Sequence, residues 1–316
     1  MDVPLWIWMS FTVFVLAMLA LDLGVFHRKA HAVKLPEALT WSAIWIALAM
    51  AFNVGIYYWA GSERALEFLT AYLIEKSLSV DNLFVFAVLF AAFSVPADCK
   101  HKILFWGVFG ALLMRAVMIF AGVALIERFH WLVYIFGGFL VLTGLKMLMP
   151  HPQPVGAENH LLIRLCRRLF RITPEYHRDR FIVREKGLLS ATPLLLVLIL
   201  VEATDLVFAV DSIPAVLAVS SDTFIVFTSN VFAMLGLRAL FFALAGVLDM
   251  FRYLKYGLAA ILAFVGIKML LVDVAPIPIF ASLSVVMGIL VTSVLASLWH
   301  VRAQPAEVTA AGISHL

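Results

Sequence analysis

Charge, cysteine and catalytic signatures are all scarce in this chain of 316 residues. Charged residues make up 14% of it and hydrophobic residues 64%, whereas water-soluble domains run at roughly 25% and 45–50%. So little polar surface cannot cover so much apolar side chain, which excludes a water-soluble fold. The two cysteines, Cys99 and Cys166, give no disulfide framework. No Walker loop, nucleophile elbow, HExxH helix or dinucleotide fingerprint is present. ATP-driven transport by this chain alone and conventional hydrolysis are therefore disfavoured, and nothing points to an enzyme, a resident cofactor or a nucleic-acid partner.

What the chain has is long apolar runs. Runs able to cross a hydrocarbon core, roughly 17–25 residues, begin near Leu5, Thr40, Leu66, Ile103, Trp131, Leu188, Thr223, Leu254 and Ile277. They predict an all-α polytopic membrane protein with about nine transmembrane helices. The first run lacks the basic start of a signal peptide and its apolar core is too long for one, so it reads as a retained helix. Its basic flank, His27-Arg28-Lys29, puts the N-terminus outside the cytoplasm and the C-terminus inside by the positive-inside rule. That orientation places 16 of the 23 Lys and Arg residues in cytoplasmic loops and only Arg64 and Arg128 in outer ones.

Eight of those bases lie between Pro150 and Gly187, against four acids. The plainer reading of this loop is a topogenic linker. Its segment Leu161–Phe170 also looks amphipathic, suited to anionic headgroups, and the loop is the candidate docking surface for other membrane proteins.

The chain contains itself twice. Val108-Phe-Gly-Ala-Leu-Leu-Met-Arg115-Ala is echoed by Val231-Phe-Ala-Met-Leu-Gly-Leu-Arg238-Ala. Each is followed by a helix ending in Gly144-Leu-Lys146-Met-Leu or Gly266-Ile-Lys268-Met-Leu. Each unit has three helices, an odd number, so the second copy enters the membrane from the opposite side. Two inverted three-helix repeats result, an architecture of secondary transporters. The expected divisions are 1–62, two N-terminal helices; 63–149, the first repeat; 150–187, the basic loop; 188–272, the second repeat; and 273–316, a last helix and tail.

Within this apolar frame stand Glu75-Lys76-Ser-Leu-Ser-Val-Asp81-Asn82 and Glu202-Ala-Thr-Asp205-Leu-Val-Phe-Ala-Val-Asp211-Ser212-Ile-Pro214. A charge at the bilayer centre costs about 2.5–3.5 kcal/mol or more, so such residues face a bundle interior, a partner charge or a water-filled path. No His or Cys falls inside a predicted helix, which leaves an oxygen-only donor set suited to Mg, Ca or Mn. The candidate metal ligands are Glu75, Asp81, Asn82, Glu202, Asp205, Asp211 and Ser212, with Lys76, Arg115 and Arg238 as charge-pairing or gating residues. Five acids against three bases leave a net of minus two, which one divalent cation would neutralise; retained protons are the alternative, and suggest metal–proton exchange.

Six residues separate Glu75 from Asp81 and Asp205 from Asp211, about 9 Å along a helix. With the helices inverted, two carboxylate layers are expected, Glu75 with Asp211 and Asp81 with Asp205. Pro214 removes the amide that would bond Val210, so a kink or break is expected there. The competing reading of all these charges is a set of buried ion pairs that lock the bundle.

The segments from Glu75 and from Glu202 resemble the two signature helices of the TerC family of integral membrane proteins. Gly-Leu-Arg238-Ala, Lys255-Tyr-Gly-Leu and Gly266-Ile-Lys-Met-Leu fit the same pattern, and Asp22 with its basic loop resembles the Alx branch. The resemblance implies a LysE-related transporter fold in a bacterial inner membrane, and Mn2+ export with protons as candidate counter-ions. Membrane accessory proteins that load metal into exported enzymes, and pH or metal sensors, are the other roles it leaves open.

Overall fold

The computed structural model describes residues 3–26, 35–148, 168, 171–173, 175–177, 180–185, 188–244, 253–275 and 277–303. Its helices are α1 (Leu5–Phe26), α2 (Leu35–Ala60), α3 (Ser62–Ala92), α4 (Ala97–Arg128), α5 (Leu132–Leu148), α6 (Pro193–Leu217), α7 (Thr223–Leu235), α8 (Leu237–Leu244), α9 (Leu254–Leu270) and α10 (Ile279–Ala303). Among the described residues, five helical segments are long and apolar enough to cross a membrane: Pro36–Ala60, Asp98–Arg128, Pro193–Leu217, Thr223–Ala243 and Ile279–Ser297. Leu5–Leu21 and Leu132–Leu148 are shorter apolar helices. The 31 residues of α3 reach about 46 Å at 1.5 Å per residue, but carry the acids and bases that dilute its hydropathy.

Apolar side chains also cover the outside. Val117, Leu142 and Val207 are 70%, 67% and 64% exposed although each lies well inside its helix. Lipid tails satisfy such a surface where water would not, and away from its ends a helix already bonds every backbone polar group within itself. The chain is an all-α, multi-pass membrane protein.

The α7 helix is the axis of the bundle and is buried almost throughout. The α3 helix packs on both α7 and α6, α4 packs on α6, α5 lies along α9, and α10 flanks α9 and α3. An aromatic cluster from α1, α2 and α3, with Phe11, Phe52 and Phe68, closes on Phe224 and Phe232 of α7. The α5 and α9 helices approach backbone to backbone, so that a Cβ added to Gly266 would stand 2.6 Å from the carbonyl oxygen of Gly137. Small residues permit this contact between backbones.

Two sequence expectations change. The sixth apolar run starts as a helix at Pro193 rather than Leu188, because Leu188–Ala191 pairs antiparallel with Ile182–Glu185 as strands β2 and β1. The helix is not broken at Pro214 but continues to Leu217. The proline and the residues around it are buried, and neighbouring helices hold the last turn in place. The interruption lies instead at Gly236, between α7 and α8. A Cβ there would meet Lys76 Nζ at 3.0 Å and Trp45 Cβ at 3.1 Å.

The hairpin is tied down beneath α3. Tyr176 donates its hydroxyl to the Phe93 carbonyl at 2.7 Å, and Thr192 donates to the Arg180 carbonyl at 2.7 Å. The amphipathic segment expected at Leu161–Phe170 lies, apart from helical Arg168, outside the described residues.

Candidate ion-binding site

Glu75 is the fourteenth of the 31 residues of α3, and Asp205 is the thirteenth of the 25 of α6. Both acids therefore sit near the middle of their helices, where α3 and α6 touch. Arg115 of α4 reaches between them. Its Nη1 bonds Glu75 Oε1, its Nε donates to Asp205 Oδ2 at 3.3 Å, and its Nη2 donates to Asp205 Oδ1 at 3.5 Å. Nη1 also donates to Ser212 Oγ at 3.0 Å and Asn230 Oδ1 at 3.2 Å.

Two amides complete the arrangement. Asn82 on α3 donates to Asp205 of α6 at 3.1 Å, and Asn230 on α7 donates to Glu75 of α3 at 3.1 Å. None of the six residues is more than 2% exposed. Fully ionised, the two carboxylates and one guanidinium leave this group one negative charge in excess. Burial makes such a group expensive unless every charge is paired and hydrogen-bonded, and one acceptor has been left over: among the described residues, Asn82 Oδ1 has no hydrogen-bond partner.

The structure thus brings together Glu75, Asn82, Asp205, Ser212 and Arg115 from the sequence-derived set. The expected layer of Glu75 with Asp211 is corrected: Glu75 meets Asp205. Asp211, the nineteenth residue of α6, lies about 9 Å further along the axis, half-buried, and accepts from Thr143 of α5 at 3.3 Å. It faces a cavity of about 390 Å³ that Asn82, Arg115 and Ser212 also line, with Lys255. A second, larger groove of about 640 Å³ runs from Asp211 past Thr143 and Lys146.

Glu202 is half-buried against α4, where its carboxylate fills the space beside Gly110 that a Cβ would need. Its Oε2 has no partner among the described residues. Asp81 lies on α3, but its side chain is outside the described residues, so the expected pairing with Asp205 is outside them too. Lys76 does not join the acids. Its Nζ donates to the Ala233 carbonyl at 3.1 Å, at the end of α7 where the helix break frees carbonyls and the helix dipole favours a cation. Arg238, the repeat counterpart of Arg115, is buried at the start of α8.

Sequence reasoning missed Asn230, Thr143 and a polar group at the start of α3. There Glu67 accepts from Arg64 at 2.7 and 3.0 Å and from Ser220 at 2.6 Å. A signal for Asn230 did exist, since Thr228-Ser229-Asn230 is a polar run inside an apolar helix. Among the described residues, no three His, Cys, Asp or Glu side chains converge closely enough to hold an ion between them. What converges instead is a shell of carboxylate, amide and hydroxyl oxygens, with a guanidinium at its centre.

Residues 60–305 match the profile of the family described as "Integral membrane protein TerC family". The chain is 54% identical over 299 residues to "Uncharacterized membrane protein STKORF319" of Myxococcus xanthus, covering 95% of this chain and 94% of that one. It is 50% identical over 302 residues to "Putative membrane-bound redox modulator Alx" of Escherichia coli strain K12, covering 93% and 94%. A membrane protein of Rickettsia felis is 40% identical over 291 residues, covering 92% and 97%. No solved structure matches the chain. The buried polar site lies on the same helices that carry the family's signature segments, and with a profile match over most of its length the chain belongs to the TerC family of integral membrane proteins.

Proposed function

We propose that this protein exports a hard divalent cation, Mn2+ foremost, from the cytoplasm across a bacterial inner membrane. The observation that carries the reading is the buried oxygen shell formed by Glu75, Asp205, Ser212, Asn230 and Asn82, at the centre of apolar helices and open to a cavity. Oxygen donors of this kind suit Mn2+, Mg2+ or Ca2+. Nothing in lipid rewards burying them for stability alone, since replacing a buried ion pair by apolar residues is often neutral or stabilising.

The two halves are read as an inverted repeat, with the N-terminus outside and nine crossings in all. Reciprocal packing supports this: the acidic helix α3 lies on α7, which leads into Arg238, the acidic helix α6 lies on α4, which carries Arg115, and α5 pairs with its counterpart α9. Rocking of one half against the other around the central site would expose it alternately to the two sides. The interruption at Gly236 supplies a hinge, and Asp211 and Glu202 are approach residues to either side of the centre. The Escherichia coli relative is named "Putative membrane-bound redox modulator Alx", and moving a redox-active metal ion is one way in which a protein of this build acts on redox balance.

The test is Mn2+ flux in proteoliposomes with imposed ion and pH gradients, comparing the native protein with Asp205→Asn. Saturable flux lost in the variant is the expected result. Binding of Mn2+ without flux under any gradient would refute export and favour the metal-handing accessory role.

A further inference from the structure

The centre of the oxygen shell is already filled by a cation that belongs to the chain. We propose that Arg115 is a tethered substitute ion: its guanidinium holds the site while no metal is bound and withdraws toward Asp211 when a divalent cation enters. This rests on the transport reading above and says how the empty carrier is stabilised.

Geometry argues for it first. A guanidinium that serves only as a lock takes a carboxylate in a bidentate fork at about 2.7–2.9 Å. Arg115 does present such a fork to Asp205, Nε to Oδ2 and Nη2 to Oδ1, but stretched to 3.3 and 3.5 Å, while its Nη1 bonds Glu75. Its Nη1, with two hydrogens, faces three acceptors on three helices: Glu75 of α3, Ser212 of α6 and Asn230 of α7. Oxygens converging from several elements on one point match an ion better than they match a planar fork. Asn82 Oδ1, buried beside Asp205 and without a partner among the described residues, is a further oxygen that Arg115 does not use and a metal ion can.

Charge gives the second argument. With both carboxylates ionised, the group carries minus one with Arg115 in place and minus two with Arg115 withdrawn, which a divalent cation neutralises. Space gives the third. Arg115 and Asp211 line one cavity of about 390 Å³, so the departing guanidinium has somewhere to go and a carboxylate to meet there. Metal and Arg115 therefore exclude one another from the same oxygens. One consequence is functional: a carrier that fills its own empty site can return without an ion or a proton aboard, and so performs net transport as well as exchange.

The experiment uses the full-length protein with Mn2+ as the only probe. Binding is read from the loss of the free Mn2+ electron paramagnetic resonance signal. Transport is read in proteoliposomes in two modes, net efflux into Mn2+-free buffer and exchange of labelled for unlabelled Mn2+. Arg115→Met, whose unbranched apolar side chain cannot substitute for a cation, should bind Mn2+ at least tenfold more tightly. It should also lose net efflux by tenfold or more while keeping exchange within about threefold. Arg115→Lys retains the charge, guards against a folding failure in the methionine variant, and should retain net efflux within tenfold.

Unchanged or weaker Mn2+ binding in folded Arg115→Met would overturn the proposal and leave Arg115 a structural ion-pair partner. So would a folded Arg115→Lys that loses exchange together with net efflux. Native protein that neither binds nor moves Mn2+ would instead overturn the transport reading itself, and the proposal with it.

Discussion

Asp205→Asn and Asp211→Asn make the same chemical change on the same helix, yet the structure gives them different costs. Asp205 is 2% exposed and accepts from Arg115 Nε, Arg115 Nη2 and Asn82 Nδ2. An asparagine there must turn its NH2 toward one of these donors, so the guanidinium loses much of one partner while Glu75 remains. Removing one partner of a buried ion pair costs about 3–5 kcal/mol, and the surviving Glu75 bond keeps this case near about 3 kcal/mol. Asp211 is half-buried and accepts one bond, from Thr143 at 3.3 Å, for which about 1 kcal/mol is the ordinary loss. The difference of about 2 kcal/mol corresponds to roughly 30-fold in the folding equilibrium. In thermal unfolding of detergent-solubilised protein it amounts to about 3 °C, at an unfolding entropy of about 2.1 cal/mol/K per residue over 316 residues. Equal losses, or a larger loss for Asp211→Asn, would refute the assignment of Asp205 to the central cluster and revive the layered pairing of Glu75 with Asp211.

Gly266→Ala should destabilise the α5–α9 contact by about 1–3 kcal/mol through overpacking, because its Cβ meets the Gly137 carbonyl and Val141. Gly138→Ala, with nothing within 4 Å, should be neutral or slightly stabilising in the same melting assay. Lys76→Met removes the ammonium that bonds the Ala233 carbonyl and should cost about 1–2 kcal/mol; hydrogen exchange should speed up at amides 235–238 more than elsewhere in α7. The third concerns the turn after α9, where Asp273 accepts from Tyr134 and is bonded to His130. Those bonds, Tyr134's foremost, hold its carboxyl below the usual range. A lowered folded-state value means that the contribution is complete above the ordinary carboxylate value of about 3.9 and is lost as pH falls through the lower one. Asp273→Asn should remove that acid-dependent part of the local exchange protection between this turn and the start of α5.

The membrane class was legible because it is compositional. A chain with 14% charged residues has no soluble alternative, and apolar run length sets helix length. The importance of Glu75, Asp205, Asn82, Ser212 and Arg115 was legible for a related reason: polar groups in apolar helices are costly wherever they end up, so each one marks a place that the fold must satisfy. Internal similarity also gave the order of acidic, arginine and glycine-lysine segments along the chain.

Partner choice was a different matter. Depth along a straight helix, reckoned from apolar runs, set Glu75 against Asp211. The helices begin and end elsewhere than the runs do: α3 starts at Ser62 and α6 at Pro193, which moves both Glu75 and Asp205 to mid-helix. Arginine adds a long side chain that reaches across helices, so Arg115 gathers acids that helix register alone keeps apart. The site of helix interruption was equally a tertiary decision. Pro214 is the stronger local breaker, but burial holds its helix together, while at Gly236 the crowding of Trp45 and the ammonium of Lys76 stabilise a break that an isolated helix would not make. Sequence by itself determined which residues had to be sheltered from lipid; the packing of the helices decided which of them shelter one another, because that depends on distances between chain segments that no local pattern encodes.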